Sequence, residues 1–205
     1  MPHTLGIVTG LQFEADIARA LPGSNVACYG PGPAAAGAAA STLVAQGAAQ
    51  LMSFGIAGGL DPDLLCGDLV VSPATLAAQL AVPERMVNTV EAAVLTPRAK
   101  SALYAKTGAH AVDMETSAVR AIAQRHNLPF LILRVICDEA DDTIPHVALA
   151  GVDAEGRTKP LRVARGLAVR PQDLAALITL GNRRKRAVMA LKAAVKEVSR
   201  SMSAL

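Results

Sequence analysis

The sequence predicts an α/β fold, a mainly parallel or mixed sheet covered by helices, and three observations predict it. Short apolar runs alternate with helical patterns along most of the chain. The segment from Ala20 to Leu60 carries no charged residue. Pro22, Gly23, Asn25, Pro31, Pro33 and Gln46 break that segment and its middle is Ala and Gly, so it reads as a buried strand, helix, strand unit and not as a membrane span. Finally, 205 residues with 52% hydrophobic and 2% aromatic content suit one domain with a core of Ala, Val and Leu.

The elements follow in order. LGIVTG (5–10) reads as a first strand and QFEADIARAL (12–21) as a helix with Phe13, Ile17 and Leu21 on one stripe. NVACYG (25–30) is a second strand. PAAAGAAASTLVAQG (33–47) is an Ala-rich helix whose Pro33 suits the first turn. AQLMSFG (49–55) is a buried strand that ends in a glycine turn, Gly55 to Gly59, and GDLVVSPATL (67–76) and EAAVL (91–95) are further strands. AVDMETSAVRAIA (111–123) is a helix, capped by Asp113, with Glu115 near its positive end. LPFLILRVICD (128–138) is the strongest strand signal of the chain.

In such sheets ligands collect at the carboxyl ends of the strands. That rule selects the turns Gly10–Glu14, Gly30–Pro33 and Gly55–Gly59, together with Cys137-Asp138, and Glu115 faces the same edge. GPGPAA (30–35) has the form of a dinucleotide fingerprint, but the ribose-binding acid that must follow is missing: no Asp or Glu lies between Asp16 and Asp61. The match is therefore read as a tight strand-to-helix turn, and a nicotinamide enzyme is not expected. FGIAGGL (54–60) is either a turn requiring positive φ or a backbone that a ligand approaches closely. Asp138 ends a buried strand, where burial raises a carboxyl pKa, whereas Glu139, Asp141 and Asp142 behind it read as solvated. Glu14, Glu115 and Asp138 together form the set that N-glycosidic cleavage requires. One acid protonates the leaving base, one carboxylate activates the nucleophile and one holds the sugar hydroxyls.

Other chemistries find little support. Cys28, Cys66 and Cys137 are odd in number and far apart, which fits a reducing cytoplasm and no disulfide framework. His3, His110, His126 and His146 show no metal-ligand spacing, so no metal is expected. The start, MPHTLGIVTGL, lacks the basic region of a secretory signal.

Five motifs, GIVTGLQFEADI, SFGIAGGL, GDLVVS, AVDMETSAV and LRVICDEAD, occur in the order and spacing of a known family. Over roughly residues 5 to 142 the chain resembles the nucleoside phosphorylase superfamily, and most of all its methylthioadenosine/S-adenosylhomocysteine nucleosidase branch. The resemblance implies a three-layer α/β/α fold with a mixed, mainly parallel sheet. It implies that Glu14 activates water, that Met114 and Glu115 bind ribose, and that Asp138 protonates purine N7. Arg134 matches a family arginine on the same strand. Gly58 in the glycine turn and Thr96 in the segment replacing the family's adenine loop complete the implied substrate-binding set. No cofactor is implied, phosphate is the alternative co-substrate, and a homodimer is the implied assembly.

This chain departs from the branch at several points. Ile56 stands for the serine of G-S-A-G-G, Tyr29-Gly30-Pro31-Gly32-Pro33 for S-G-I-G-K, and Val94-Leu95-Thr96-Pro97 for S-G-D-A-F. In its short middle and its ending the chain resembles the hopanoid-associated phosphorylase group, thought to remove adenine from adenosylhopane. Hydrolysis is favoured over phosphorolysis, because a glutamate would repel phosphate and the glycine turns hold no Lys or Arg. Arg19 is the one nearby candidate. The competing class is a non-catalytic nucleoside-binding module on the same fold.

Residues 1–150 are expected to form the catalytic domain and residues 151–205 a basic helical extension packed on it. Residues 1–156 hold 8 Lys and Arg against 15 Asp and Glu, a net of −7; residues 157–205 hold 12 against 2, a net of +10. In RRKRAVMALKAAVKEVSRSM (183–202) Val188, Leu191, Val195, Val198 and Met202 share one helical face, and Lys185, Lys192, Lys196 and Arg200 another. The helix either lies on an anionic bilayer or packs on the protein with a solvated basic face. Nucleic acid is not an expected partner, since no aromatic residue follows Phe130.

Overall fold

The computed structural model describes residues 4–203. The first half of the chain forms β1 (Thr4–Thr9), α1 (Gln12–Ala18), β2 (Ser24–Cys28), α2 (Pro33–Ala45) and β3 (Ala48–Gly59). Then come β4 (Leu69–Ser72), α3 (Ala74–Gln79), β5 (Val87–Thr89), α4 (Pro97–Thr107), β6 (Ala111–Asp113), α5 (Thr116–Arg125) and β7 (Phe130–Asp138). The remainder supplies α6 (His146–Leu149), α7 (Pro160–Val169), a single 3-10 turn and α8 (Leu174–Ser203).

The strands form one mixed sheet. β1 pairs in parallel with β2 and β3, β3 with β7, and β5 with β6, while β3–β6 and β4–β7 are antiparallel. β3 is the axis: it meets β1 near its start, β7 along its length, and β6 through Gly58 and Gly59. A register shift between Ala57 and Gly58 sets Gly58 beside Asp138 at the end of β7.

Neighbouring residues on a strand face opposite sides, and each side has its own core. Ile7, Met52, Phe54, Leu133 and Val135 face α1 and α8, where Ile17, Ala187, Leu191, Val195 and Val198 are buried. Val8 and Leu51 face the other way, onto Ala36, Ala39, Ala40 and Leu43 of α2 and Val119 and Ile122 of α5. The sheet thus lies between two helical layers, the three-layer α/β/α arrangement. The methyl side chains of α2 keep that helix close to both β1 and α5.

Four expectations change. AVDMETSAVRAIA is not helical throughout: Ala111 and Val112 pair with Gly59 and Gly58, and sheet pairing holds 111–113 as a strand before α5 begins at Thr116. FGIAGG continues β3 and is not a terminal turn, because β7 and β6 supply ladder partners as far as Gly59. The strand expected at 91–95 lies instead at Val87–Thr89, where β6 pairs with it. Finally, α8 packs its apolar face on the sheet. Leu191, Val195 and Val198 are buried, each contributing roughly 1.5–3 kcal/mol, and the bilayer-facing expectation fails for that face. The side chain of Met202, like all of His3, lies outside the described residues. Among the described residues no helix is long and apolar enough to cross a membrane.

Candidate active site

A cavity of about 650 Å³ opens at the carboxyl ends of β1, β3, β6 and β7. Glu14, Gly58, Met114, Glu115, Arg134 and Asp138 all line it. Five of the seven expected site residues are therefore brought together with the guanidinium that organises them, and the seventh, Thr96, is not.

Glu14 sits in the first turn of α1, 1% exposed. Its Oε2 accepts hydrogen bonds from the backbone N–H of Gly10 (3.2 Å) and Leu11 (2.9 Å), and its Oε1 from that of Ile56 (2.8 Å). The serine-to-isoleucine departure at position 56 leaves this last contact intact because the backbone makes it. Gly55 has φ +149°, and a Cβ there would collide with the Glu14 carboxylate. Burial raises the Glu14 pKa from the ordinary 4.5 to about 7, with Glu115 adding to the rise and Arg134 and the backbone donors opposing it. A carboxylate that titrates near neutrality has the affinity a general base needs.

Glu115 occupies the N-cap position of α5, but its side chain does not cap. Asp113 takes that task, accepting from the N–H of Thr116 (3.1 Å). Glu115 is thus free to reach the cavity, where Oε1 accepts from the N–H of Gly32 (3.1 Å) and Oε2 from Arg134 (3.2 Å). The Gly30–Pro33 turn, one of those the sheet-edge rule selects, supplies this donor. A Cβ at Gly10 would lie 2.7 Å from Glu115 Oε1, so the close approach of β1 requires glycine there.

Arg134 is 1% exposed and cross-links the floor. Its guanidinium meets Asp113 Oδ2 (2.7 Å), Glu115 Oε2 (3.2 Å), Ser53 Oγ (2.8 Å) and the carbonyl of Ile56 (3.2 Å). Burial alone would lower its pKa, but Asp113, Glu115 and Glu14 outweigh this and raise it. These partners hold the Arg134 guanidinium between the Asp113 and Glu115 carboxylates. With one guanidinium among Glu14, Asp113 and Glu115, the ionised floor carries an excess of two negative charges.

Asp138 ends β7, 7% exposed, with Gly58 beside it; a Cβ at Gly58 would stand 3.1 Å from Asp138 Oδ2. Burial raises the Asp138 pKa, against a lowering by Lys100. Lys100 Nζ lies 2.5 Å from Asp138 Oδ2 and is fully buried. Its sequence signal was positional: Lys100 shares the stripe of Leu103 and Tyr104, which pack on a core cluster. The acids after Asp138 are not simply solvated. Glu139, Asp141 and Asp142 bring carboxylate oxygens within 4.8 Å of one another, and Arg183 of α8 pairs with Glu139 and Asp142.

Thr96 is exposed and is absent from the cavity lining. It is the N-cap of α4, its hydroxyl accepting from the N–H of Ala99 (3.3 Å), with Pro97 following. Cavity wall is provided instead by Val90 to Val94. The opposite wall is apolar and comes from the tail: Ile144, Leu149, Val152, Val163, Leu177 and Leu180. Arg19 pairs with Asp16 on the surface and takes no part in the lining.

A profile of the phosphorylase superfamily matches residues 23–89 and 74–168. The chain belongs to that superfamily. No curated protein matches it. Among solved structures it is similar to a 5′-methylthioadenosine/S-adenosylhomocysteine nucleosidase from Neisseria meningitidis in complex with methylthio-immucillin-A, with TM-score 0.71, 16% identity, and 97% of this chain and 99% of that one covered. It is similar also to a futalosine hydrolase of Helicobacter pylori, with TM-score 0.69, 16% identity, and 97% and 98% covered. The nucleosidase of Helicobacter pylori follows at TM-score 0.65 and 18% identity, with 95% and 98% covered. These likenesses show that the superfamily fold is kept over nearly the whole chain.

Proposed function

We propose that this protein hydrolyses the N-glycosidic bond of an adenosine that bears a large apolar 5′ substituent, releasing adenine. The observation that carries this reading is the convergence of Glu14, Glu115 and Asp138 on one cavity. In the proposed reaction Asp138 gives its proton to purine N7 and the C1′–N9 bond breaks with its electron pair going to the base. Positive charge builds on the ribosyl group, which the net-negative floor stabilises without reorganisation. Glu14 takes a proton from water as the water oxygen bonds C1′, and Glu115 and Met114 hold the ribose.

Water is favoured over phosphate because the anion-binding donors of the site are already engaged. Glu14 takes the N–H groups of Gly10, Leu11 and Ile56, and Glu115 that of Gly32. Arg134 is held by carboxylates. The specific observation for the phosphorolytic alternative is Arg184, which lines the cavity and stacks over the Phe13 ring at 4.4 Å.

The apolar tail wall supports a 5′ group of hydrocarbon character, and adenosylhopane is the candidate that the family resemblance implies. For such a substrate the tail offers a membrane-facing surface at α7 and the start of α8 instead of the C-terminal half of α8. Leu161, Val169, Leu174 and Ile178 are exposed there, next to Arg162, Arg165 and Arg170. The test is adenine release from methylthioadenosine, adenosylhomocysteine and adenosylhopane, each with and without phosphate. Equal release without phosphate, fastest for the apolar 5′ group, is expected. Release that needs phosphate would establish phosphorolysis, with Arg184 the first residue to test for holding the anion, and no release from any of the three would favour a binding module.

A further inference from the structure

Lys100 departs from what the sequence leads one to expect of a lysine in this helix. A lysine in the polar helix PRAKSALYAKT would ordinarily stand in water, yet its side chain is fully buried. Taking an ammonium out of water is strongly unfavourable unless its partners compensate. Two acceptors are present, Asp138 Oδ2 at 2.5 Å and the backbone carbonyl of Glu139. The carbonyl fixes the end of the lysine independently of the carboxylate, so the ammonium is aimed at one oxygen of Asp138 only.

Few other charges face Asp138. Lys100 comes from α4. Asp142 and Glu139 come from the segment after β7, and Arg183 of α8 pairs with both. β3 presents only Gly58 and Gly59, and the neighbour on β7 is Cys137, whose own thiol burial pushes up in pKa. Lys100 is therefore the single cation in direct contact with the proposed acid among the described residues.

We propose that Lys100 is the positioning residue for proton delivery: it holds Asp138 Oδ2, leaves Oδ1 as the oxygen that protonates the purine, and stabilises the carboxylate that remains. The inference rests on the nucleoside-cleaving reading above. The Oδ1–H bond breaks as N7–H forms, the C1′–N9 electron pair moves into the base, and Lys100 keeps its own proton throughout. Two opposing effects then act on one acid. Burial favours the protonated form of Asp138, and the Lys100 ammonium opposes it by favouring the carboxylate.

The test is Lys100→Met, with adenine release followed across pH. Because Asp138 must be protonated, activity falls as pH rises past its pKa; removing the ammonium raises that pKa, so the alkaline limb of kcat moves to higher pH. We expect kcat to fall on the order of 10- to 100-fold with KM little changed, and Lys100→Arg to return the limb toward its original position. A ribonucleoside analogue with a 4-nitrophenyl leaving group needs no proton, and Lys100→Met should cleave it at the parent rate. In case the single variant fails to fold, Lys100→Met combined with Asp138→Asn removes both charges and should be no slower than Asp138→Asn alone. An unmoved limb, an equal loss on the nitrophenyl substrate, or a further loss in the double variant would each overturn the proposal. If the parent protein releases no adenine from any nucleoside, the functional reading falls and this inference with it; adenine release with an unmoved limb overturns this inference alone.

Discussion

The floor and the tail wall of the cavity are built in opposite ways. Every ionisable group of the floor, from Glu14 to Asp138, is at most 7% exposed, and each is fixed by backbone N–H groups or by a buried counter-charge. The wall draws on α7, which has no buried residue and leaves Leu161 and Val169 76% and 81% exposed. Strand ends that share a ladder cannot move independently, so the floor holds its charges in place before substrate arrives. A helix with few buried contacts opens locally at low cost. Under the proposed function, the difference assigns bond cleavage and choice of 5′ group to separable parts of the molecule, and each part can be broken without the other.

The largest effect is expected at the floor. Asp138→Asn keeps the shape of the acid but removes its proton, and kcat for adenine release should fall by roughly 10²- to 10⁴-fold, with substrate binding retained in a calorimetric titration. Loss of binding alongside turnover would place Asp138 in holding the substrate instead. Glu14→Gln should cost a comparable factor and also remove the acid limb of the pH profile. In the parent enzyme activity should rise tenfold per unit below about pH 7, where Glu14 loses its proton. Stability carries the same signature with opposite sign. The folded-state pKa of Glu14 lies above the ordinary 4.5, so its contribution is fully present below pH 4.5 and is lost as pH rises to about 7. The amount is roughly 3 kcal/mol by linkage, and Glu14→Gln should flatten the slope of denaturation midpoint against pH over that window.

How much of this was legible depended on where each signal was carried. The strands β1, β2, β3 and β7 and the helix α2 were readable because their apolar runs are long and uninterrupted. The two-sided burial of β3 and β7 left little else for those runs to be. The short strands β5 and β6 were not readable, since three residues carry no period and only pairing with Gly58 and Gly59 makes 111–113 extended. α4 was missed although Thr96-Pro97 and Gly108 mark its ends, with Gly108 in the left-handed region at φ +64°. That omission hid Lys100, and Thr96 entered the substrate-binding set only through the resemblance of its segment to the family's adenine loop. Glu14, Glu115 and Asp138 were legible as a set because each ends or follows a strand. The roles of Asp113 and Arg134 as a buried pair were not, for ion pairs depend on contacts between β6 and β7 that sequence spacing does not contain.

A smaller effect is expected at the wall. Leu177→Ala removes apolar surface from the tail side of the cavity, at a cost of about 1–3 kcal/mol in recognition of a hydrocarbon group. KM for a substrate with a large apolar 5′ group should rise by about 10- to 200-fold while kcat holds, and methylthioadenosine should be affected less. A fall in kcat for both substrates would mean that the wall and the floor are coupled after all.

The smallest effect separates a cap from a ligand. Thr96→Ala removes the hydroxyl that accepts from the N–H of Ala99 and leaves the cavity lining untouched. Loss of such a cap costs about 1 kcal/mol, so the denaturation midpoint should drop slightly while KM stays at the parent value. Because α4 carries Lys100 inward from this cap, the variant also asks how firmly the helix start positions the lysine. An unchanged alkaline limb would mean that the carbonyl of Glu139 and the packing of Leu103 and Tyr104 hold Lys100 on their own. A shifted limb with an unchanged KM would make the cap part of the floor's proton delivery, and a raised KM would restore Thr96 to the substrate-binding set.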